Sequence, residues 1–262
     1  MRLFEVYNKE NSTYPLVISL PHSGQAIPEQ VRRRMLPKVV LPNMDWFLPE
    51  LYAFFIPMGV TVLKNNISRY VADPNRNPEI TGNGEYSQTI VYQKTTWNRP
   101  MYETPLRLRE IAERIQNYYL PYHKALKELL EQKLERFGKA YLLDLHSFAS
   151  FSDDVEENIV LSNNCFQTSS KGYFYLIKQQ LQQSGFSVSV NRPFKGGYIT
   201  KYYGTVFGEK VESVQLELRY HQYIDDRYFG EEELCEWKEP VFASARERLS
   251  RAFQEILSGL EF

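Results

Sequence analysis

Short apolar runs alternate along the chain with longer segments in which apolar residues recur at helical spacing. Two of the runs, Leu16–Leu20 (LVISL) and residues 140–145 (AYLLDL), are almost continuously apolar, which is typical of strands covered on both faces. The alternation predicts an α/β fold with a mixed or parallel sheet. Strands are predicted at residues 16–20, 60–63, 140–145, 158–162, 187–190 and 213–218.

Four segments between and after these strands have the spacing of helices: residues 45–55, 106–136, 172–184 and 240–260. In the second segment, Thr104 and Pro105 predict an N-cap and a first turn. Pro121 predicts a kink or a division of that helix, since proline lacks the backbone N–H that an interior position needs. Gly138 predicts its end, immediately before the next strand.

The composition limits the kind of protein. The chain has 262 residues without an internal repeat or a linker, so we expect one domain over residues 1–262. Lys and Arg number 31 against 32 Asp and Glu, and without a basic excess we expect no nucleic-acid partner. No signal peptide is evident, and no apolar run approaches the roughly 20 residues that cross a bilayer. We therefore expect a cytoplasmic protein without a membrane partner. Cys165 and Cys235 are too few for a disulfide framework.

Histidines follow two of the predicted strands directly. His22 comes after LVISLP, and His146 comes after the strand at 140–145, with Asp144 on the same face two residues earlier. Ligands of open α/β sheets bind beyond the carboxyl ends of the strands. Either histidine alone is explained as the cap of a strand, but the two together predict a metal site with neutral imidazole ligands.

A catalytic zinc site has three protein ligands and keeps one position open. The nearest carboxylates after His22 are Glu29 and Asp45. Asp45 is equally suited to cap the helix predicted at residues 45–55, and Glu29 to be a first-turn acid of a short helix. The residue pattern leaves the third ligand open between them.

A further carboxylate, Glu217, lies near the end of the strand predicted at residues 213–218. Strand alternation places Gln215, Glu217 and Arg219 on one face. A carboxylate between apolar neighbours at a strand end is suited to act as a general base or acid. The alternative is an ordinary charge on a half-exposed strand.

Two long polar segments, residues 68–100 and 195–208, are rich in Gly, Pro, Asn, Tyr and Arg. Loops of that length in a compact domain are more often functional than not. Arginine is suited to bidentate capture of carboxylates, so cations in and beside these segments predict an anionic substrate, although solvated turns would also contain them. The candidate substrate-binding and catalytic residues are Arg69, Asn75, Arg76, Arg192 and Lys195.

Six sequence blocks occur in the order of a known family: PHSGQAIP (21–28), Asp45-Trp46, SRYVADPNRNP (68–78), DLHSF (144–148), FKGGYIT (194–200) and QLELR (215–219). In this order they resemble the N-formylglutamate amidohydrolase family, over about three quarters of the chain. The resemblance implies a three-layer α/β/α single domain with a mixed, largely parallel sheet, similar to zinc carboxypeptidases and aspartoacylases.

The resemblance also implies a site with one Zn²⁺ per chain. His22 and His146 match the family's zinc-binding histidines. The relatives' middle ligand is a Glu three residues after the first histidine; that position here is Gln25, so Asp45 is taken as the third ligand. Glu217 matches the relatives' catalytic Glu.

The implied activity is that of a zinc-dependent amidohydrolase acting on a small anionic N-acyl amino acid, with N-formyl-L-glutamate, cleaved to formate and L-glutamate, as the expected substrate. Asn77 departs from the Asp that the family more commonly has. The alternatives are a hydrolase of another N-acyl amino acid or peptide, and a non-catalytic carboxylate-binding relative. The implied roles are proton transfer by Glu217, oxyanion stabilisation by Arg76 with Arg69 as the alternative, and substrate binding by Arg69, Asn75, Arg192 and Lys195.

Overall fold

The computed structural model describes residues 1–10, 13–79, 84, 86, 88–149, 156–225 and 229–260. Within these residues the strands form a seven-stranded sheet in the order β1-β3-β2-β4-β7-β5-β6. The central strands β3, β2, β4 and β7 are parallel, β1 is antiparallel to β3, and β5 is antiparallel to β7. The strands are β1 Phe4–Tyr7, β2 Leu16–Leu20, β3 Thr61–Asn65, β4 Ala140–Phe148, β5 Ile159–Ser162, β6 Val188–Val190 and β7 Val211–Arg219.

Helices cover both faces of the sheet, which confirms the predicted α/β layering. On one face Val17 and Leu142 pack with the helices α4 (Leu120–Phe137) and α6 (Tyr198–Val206). On the other face Ile18 and Leu143 pack with α2 (Leu48–Leu51), α5 (Lys171–Gln183) and α7 (Glu239–Ser258). Every residue of β2 and β4 is buried, as expected for strands covered on both sides. The helices are α1 Glu29–Arg32, α2 Leu48–Leu51, α3 Leu108–Arg114, α4 Leu120–Phe137, α5 Lys171–Gln183, α6 Tyr198–Val206 and α7 Glu239–Ser258.

The prediction of one helix at residues 45–55 is wrong. The chain forms only α2 and a 3₁₀ turn, Ala53–Phe55. Phe47, which precedes α2, has a φ of 59°, in the left-handed region that a helix cannot continue through. Asp45 therefore lies in the segment that precedes α2, where the Trp46 N–H donates to the Met44 carbonyl, rather than in a helix.

The helix predicted at residues 106–136 begins later, and it is interrupted next to Pro121, as predicted. Glu110 accepts a hydrogen bond from the backbone N–H of Arg107, so α3 starts at Leu108 and the N-cap predicted at Thr104 is wrong. A π-helical turn, Ile115–Tyr119, joins α3 to α4. Pro121 then lies in the first turn of α4, where its missing N–H is tolerated.

Two elements were not predicted. Strand β1 is short and half-buried throughout, which gives no apolar run. Helix α6 lies inside the segment 195–208, which was predicted to be a polar loop. Its buried face depends on Ile199 and Tyr203, one helical turn apart, and the polar residues around them conceal that spacing.

Cys165 and Cys235 are both exposed and free. None of the described helices is long and apolar enough to cross a membrane.

Candidate active site

A cavity of about 560 Å³ opens at the carboxyl ends of β2, β4 and β7. The order of the sheet makes β2 and β7 the two neighbours of β4, so residues at the ends of these strands meet. His22 and His146 line the cavity together with Asp45 and Glu217. The two strand-end histidines therefore belong to one site, as the sequence predicted.

Three ligand atoms converge on one point of this cavity. The Nδ1 atoms of His22 and His146 are 3.2 Å apart, and Asp45 Oδ2 is 3.4 Å from the first and 2.9 Å from the second. All three side chains are buried. Two bonds of 2.0–2.1 Å at a tetrahedral angle hold their ligand atoms about 3.3 Å apart. The spacing fits a single tetrahedral ion with a fourth position towards the cavity.

A carboxylate holds the outer nitrogen of each imidazole. His22 Nε2 is 2.6 Å from Asp73 Oδ1, and His146 Nε2 is 2.9 Å from Asp144 Oδ2. These contacts place the N–H on Nε2 and leave each Nδ1 lone pair facing the centre, the arrangement of metal-binding histidines. Two lone pairs and a carboxylate oxygen repel one another unless a cation or a proton lies between them.

The pKa values at the centre reflect the same crowding. Burial raises the pKa of Asp45, but its close contacts with His146 and His22 outweigh this, so the pKa lies below its ordinary value. Burial lowers the pKa of His146, but the charges of Asp144 and Asp45 hold it well above its ordinary value. The centre therefore has a strong affinity for positive charge, which a divalent ion satisfies.

Local backbone contacts fix the chain where it leaves β2. The Ser23 hydroxyl donates to the carbonyls of Leu20 and Asn65. A Cβ on Gly24 would lie 2.2 Å from the backbone carbon of Asn66, so only glycine permits this close approach. His22 is thereby held at the strand end rather than on a mobile loop.

Asp45 and Glu29, the two carboxylates predicted as candidates for the third ligand, lie in different parts of the structure. Asp45 lies at the centre, and α2 is capped by Phe47 without a side-chain bond, so Asp45 is not a helix cap. Glu29 starts α1 as predicted and is exposed, paired with Arg33 at 2.8 Å.

Glu217 stands directly beside His146 in the register of β4 and β7. Burial raises its pKa to about 8; His146 lowers the pKa and the negative charge of Asp45 raises it. A carboxyl group with a pKa near neutrality exchanges a proton readily under physiological conditions. Glu217 lines the cavity wall rather than the outer surface of the protein.

Two of the predicted cations are held firmly in the cavity wall. Arg69 contacts Asp73 at 2.9 Å and lies 4.8 Å from the centre of the Tyr86 ring. Arg76 donates from Nε to the Tyr86 carbonyl at 3.2 Å and from Nη1 to the Asn75 carbonyl at 3.1 Å. Both guanidinium groups line the cavity, so the polar segment 68–100 does contribute to the site.

The other predicted substrate-binding residues differ in their position relative to the cavity. Asn75 is buried, and its Nδ2 lies 3.1 Å from His146 Nε2. Lys195 is exposed at the rim and lines the cavity. Arg192 is exposed and is not among the described residues that line it.

Sequence reasoning missed two contacts of the site: Asp73 with His22, and Gln215 with Glu217. Asp73 lies on the SRYVADPNRNP segment and contacts His22 across 51 residues, which no local pattern indicates. Gln215 was predicted on the same strand face as Glu217. That period of two was the signal that could have placed both residues in one site.

The family model described as N-formylglutamate amidohydrolase matches residues 14–224, a range that includes every residue of the site described above. The chain belongs to the N-formylglutamate amidohydrolase family.

Individual relatives agree with this family. The chain is 29% identical over 221 residues to an N-formylglutamate deformylase of Pseudomonas putida, covering 81% of this chain and 82% of the relative. It is 30% identical over 236 residues to an N-formylglutamate deformylase of Pseudomonas aeruginosa, covering 85% and 87%. The crystal structure of an N-formylglutamate amidohydrolase from Ralstonia eutropha JMP134 superposes with a TM-score of 0.79 at 24% identity, covering 98% of each chain, and so shares the fold.

Proposed function

We propose that this protein is a zinc-dependent hydrolase that cleaves N-formyl-L-glutamate to formate and L-glutamate. The observation that carries the proposal is the convergence of His22, Asp45 and His146 beside Glu217 in one cavity. The names of the Pseudomonas relatives support the choice of substrate.

Two imidazoles and one carboxylate with an open fourth position form a donor set that is typical of catalytic zinc. A zinc ion bound there would supply Lewis acidity, lowering the pKa of a water ligand towards about 7 and polarising the formyl carbonyl. Asp73 and Asp144 would hold the two imidazoles in the orientation that binding requires.

Glu217 is proposed as the acid–base group. Its carboxylate takes a proton from the attacking water while the water oxygen bonds to the formyl carbon. The same proton then passes to the amide nitrogen as the carbon–nitrogen bond breaks, and the remaining proton of the former water moves from formic acid to the released amine, so that formate and L-glutamate leave. The raised pKa of Glu217 suits both halves of this cycle.

The cations of the wall are proposed to bind the substrate, which carries two carboxylates and no free amine at neutral pH. Arg76 is assigned to the developing oxyanion, with Arg69 as the alternative. Arg69, Asn75 and Lys195 are assigned to the substrate's carboxylates. The exposed position of Arg192 outside the lining gives no support for its predicted role.

The test combines metal content with a substrate panel. We expect about one zinc per chain in purified protein, and release of formate from N-formyl-L-glutamate that is faster than from N-formyl derivatives of neutral amino acids. N-acetyl and N-succinyl amino acids and formylated peptides complete the panel. Activity confined to substrates other than N-formyl-L-glutamate would contradict the assigned substrate. Absence of both zinc and hydrolysis would favour the non-catalytic carboxylate-binding relative.

A further inference from the structure

Gln215 lies between helix α6 and Glu217, and both ends of its amide are occupied. Its Oε1 accepts a hydrogen bond from the Gly197 backbone N–H at 2.6 Å, and its Nε2 donates to Glu217 Oε1 at 2.9 Å. A backbone N–H can only donate, so the amide oxygen must face Gly197 and the NH₂ must face Glu217. The direction of the contact to the carboxylate is therefore determined.

Gln215 contacts Glu217 on β7 in the same way that Asp144 contacts His146 on the neighbouring strand β4. Asp144 precedes His146 by two residues on β4, and Gln215 precedes Glu217 by two residues on β7. The register pairs Asp144 with Gln215 and His146 with Glu217. His146 and Glu217 are thus each contacted by a polar side chain two residues earlier on the same strand.

The far end of the contact lies in a closely packed segment. Gly197 is the N-cap of α6. In the first turn of that helix the backbone N–H of Ile199 donates to Asn75 Oδ1 at 2.9 Å. A Cβ on Gly197 would lie 2.2–2.5 Å from the side-chain amide of Asn75. Gly197 therefore packs closely against the Asn75 side chain, and Gln215, itself buried, is bonded to this closely packed segment.

We infer that Gln215 is a positioning residue for Glu217: it holds Oε1 of the carboxylate through its N–H and leaves Oε2 as the oxygen that exchanges a proton with the reacting water. This inference rests on the proposed function, because it assigns a support to the proposed acid–base group. Without the N–H the carboxylate is free to rotate about its last two bonds, and the fraction of time it spends aligned with the water decreases.

The first experiment replaces Gln215 in the zinc-loaded enzyme. Gln215→Met keeps the length of the side chain and removes both hydrogen bonds, and Gln215→Glu keeps the acceptor for Gly197 and removes the donor. We expect each to lower kcat about 10–100-fold, the usual loss on removing an outer partner of a catalytic group, with KM changed less than about 3-fold. Gln222→Met, the same replacement at a residue that contacts Arg248, is the matched control and should keep the wild-type kcat.

Two further measurements separate positioning from structural damage. In the Glu217→Gln background, where the carboxylate is gone, adding Gln215→Met should change the residual kcat less than about 3-fold. A crystal structure of the Gln215→Met variant should show the Glu217 carboxylate displaced while the zinc ligands stay in place.

Either an unchanged kcat in both Gln215 variants or an equal loss in both backgrounds would overturn the positioning role. An undisplaced Glu217 carboxylate would overturn it as well. Absence of hydrolysis by the wild-type enzyme would overturn the proposed function together with this inference, so the two failures are distinguishable.

Discussion

Asp144 and His146 lie two residues apart on β4, and the Asp144 carboxylate is 2.9 Å from His146 Nε2. Asp144 is fully buried and also accepts a hydrogen bond from the Ser19 hydroxyl at 2.7 Å. It therefore fixes the ring so that Nδ1 faces Asp45 and the Nδ1 atom of His22.

From this relationship we predict that Asp144→Asn weakens zinc binding about 10–100-fold, because the imidazole loses its anionic partner and becomes a poorer ligand. Competition with a chelating dye measures the affinity. Ser19→Ala removes the Ser19 contacts with Asp144 and with the Tyr122 hydroxyl but leaves the Asp144–His146 contact in place; it is the control and should bind zinc nearly as tightly as the wild type. If Asp144→Asn bound zinc with wild-type affinity, the contact between Asp144 and His146 would have no effect on zinc binding.

A second prediction distinguishes the two carboxylates that the sequence offered as third ligand. Asp45→Ala should reduce zinc affinity more than about 100-fold, a larger effect than the loss of an outer partner, because a direct ligand is removed. Glu29→Ala removes an exposed carboxylate paired with Arg33 and should leave affinity and activity unchanged. Stoichiometric zinc in purified Asp45→Ala would rule out Asp45 as the ligand.

The third prediction concerns Glu217. Glu217→Gln keeps the shape of the side chain and removes its capacity to exchange a proton, so kcat should fall about 10²–10⁴-fold. Zinc should stay bound at about one per chain, which elemental analysis of the dialysed variant measures. If the metal were lost with the carboxylate, Glu217 would be a ligand rather than the acid–base group.

The fourth prediction concerns His123, which lies on α4 outside the cavity. Its Nε2 is 2.8 Å from the carbonyl of Pro74, and its Nδ1 is 3.1 Å from the Tyr203 hydroxyl. Burial lowers the pKa of His123 to about 4, from an ordinary value of 6.5. Between these two values the unfolded chain binds a proton at this residue and the folded chain does not.

The contribution of His123 to the free energy of unfolding is therefore complete above pH 6.5 and decreases as the pH falls towards 4, by at most about 3 kcal/mol. Urea unfolding of the wild type and of His123→Gln at several pH values measures the difference. The variant should lose stability less steeply below pH 6.5 than the wild type. Parallel curves for the wild type and His123→Gln would contradict the assigned burial effect.

The sequence by itself determined the central part of the fold, the family and the two histidines that meet in the cavity. The apolar runs of β2 and β4 locate the strands because a strand buried on both faces admits few polar residues. The same runs locate His22 and His146, since each follows a strand directly. Six blocks in order were sufficient for the family, which the family model confirms over residues 14–224.

Only the tertiary structure decided which carboxylates meet the histidines. Asp45, Asp73 and Asp144 reach the centre from three different parts of the chain, and local spacing indicates only the last of them. Asp144 shares β4 with His146, whereas Asp45 and Asp73 lie outside the strands and reach the histidines through contacts between segments that are far apart in sequence. The same holds for α6, whose buried apolar residues Ile199 and Tyr203 become a helix face only where the sheet covers them.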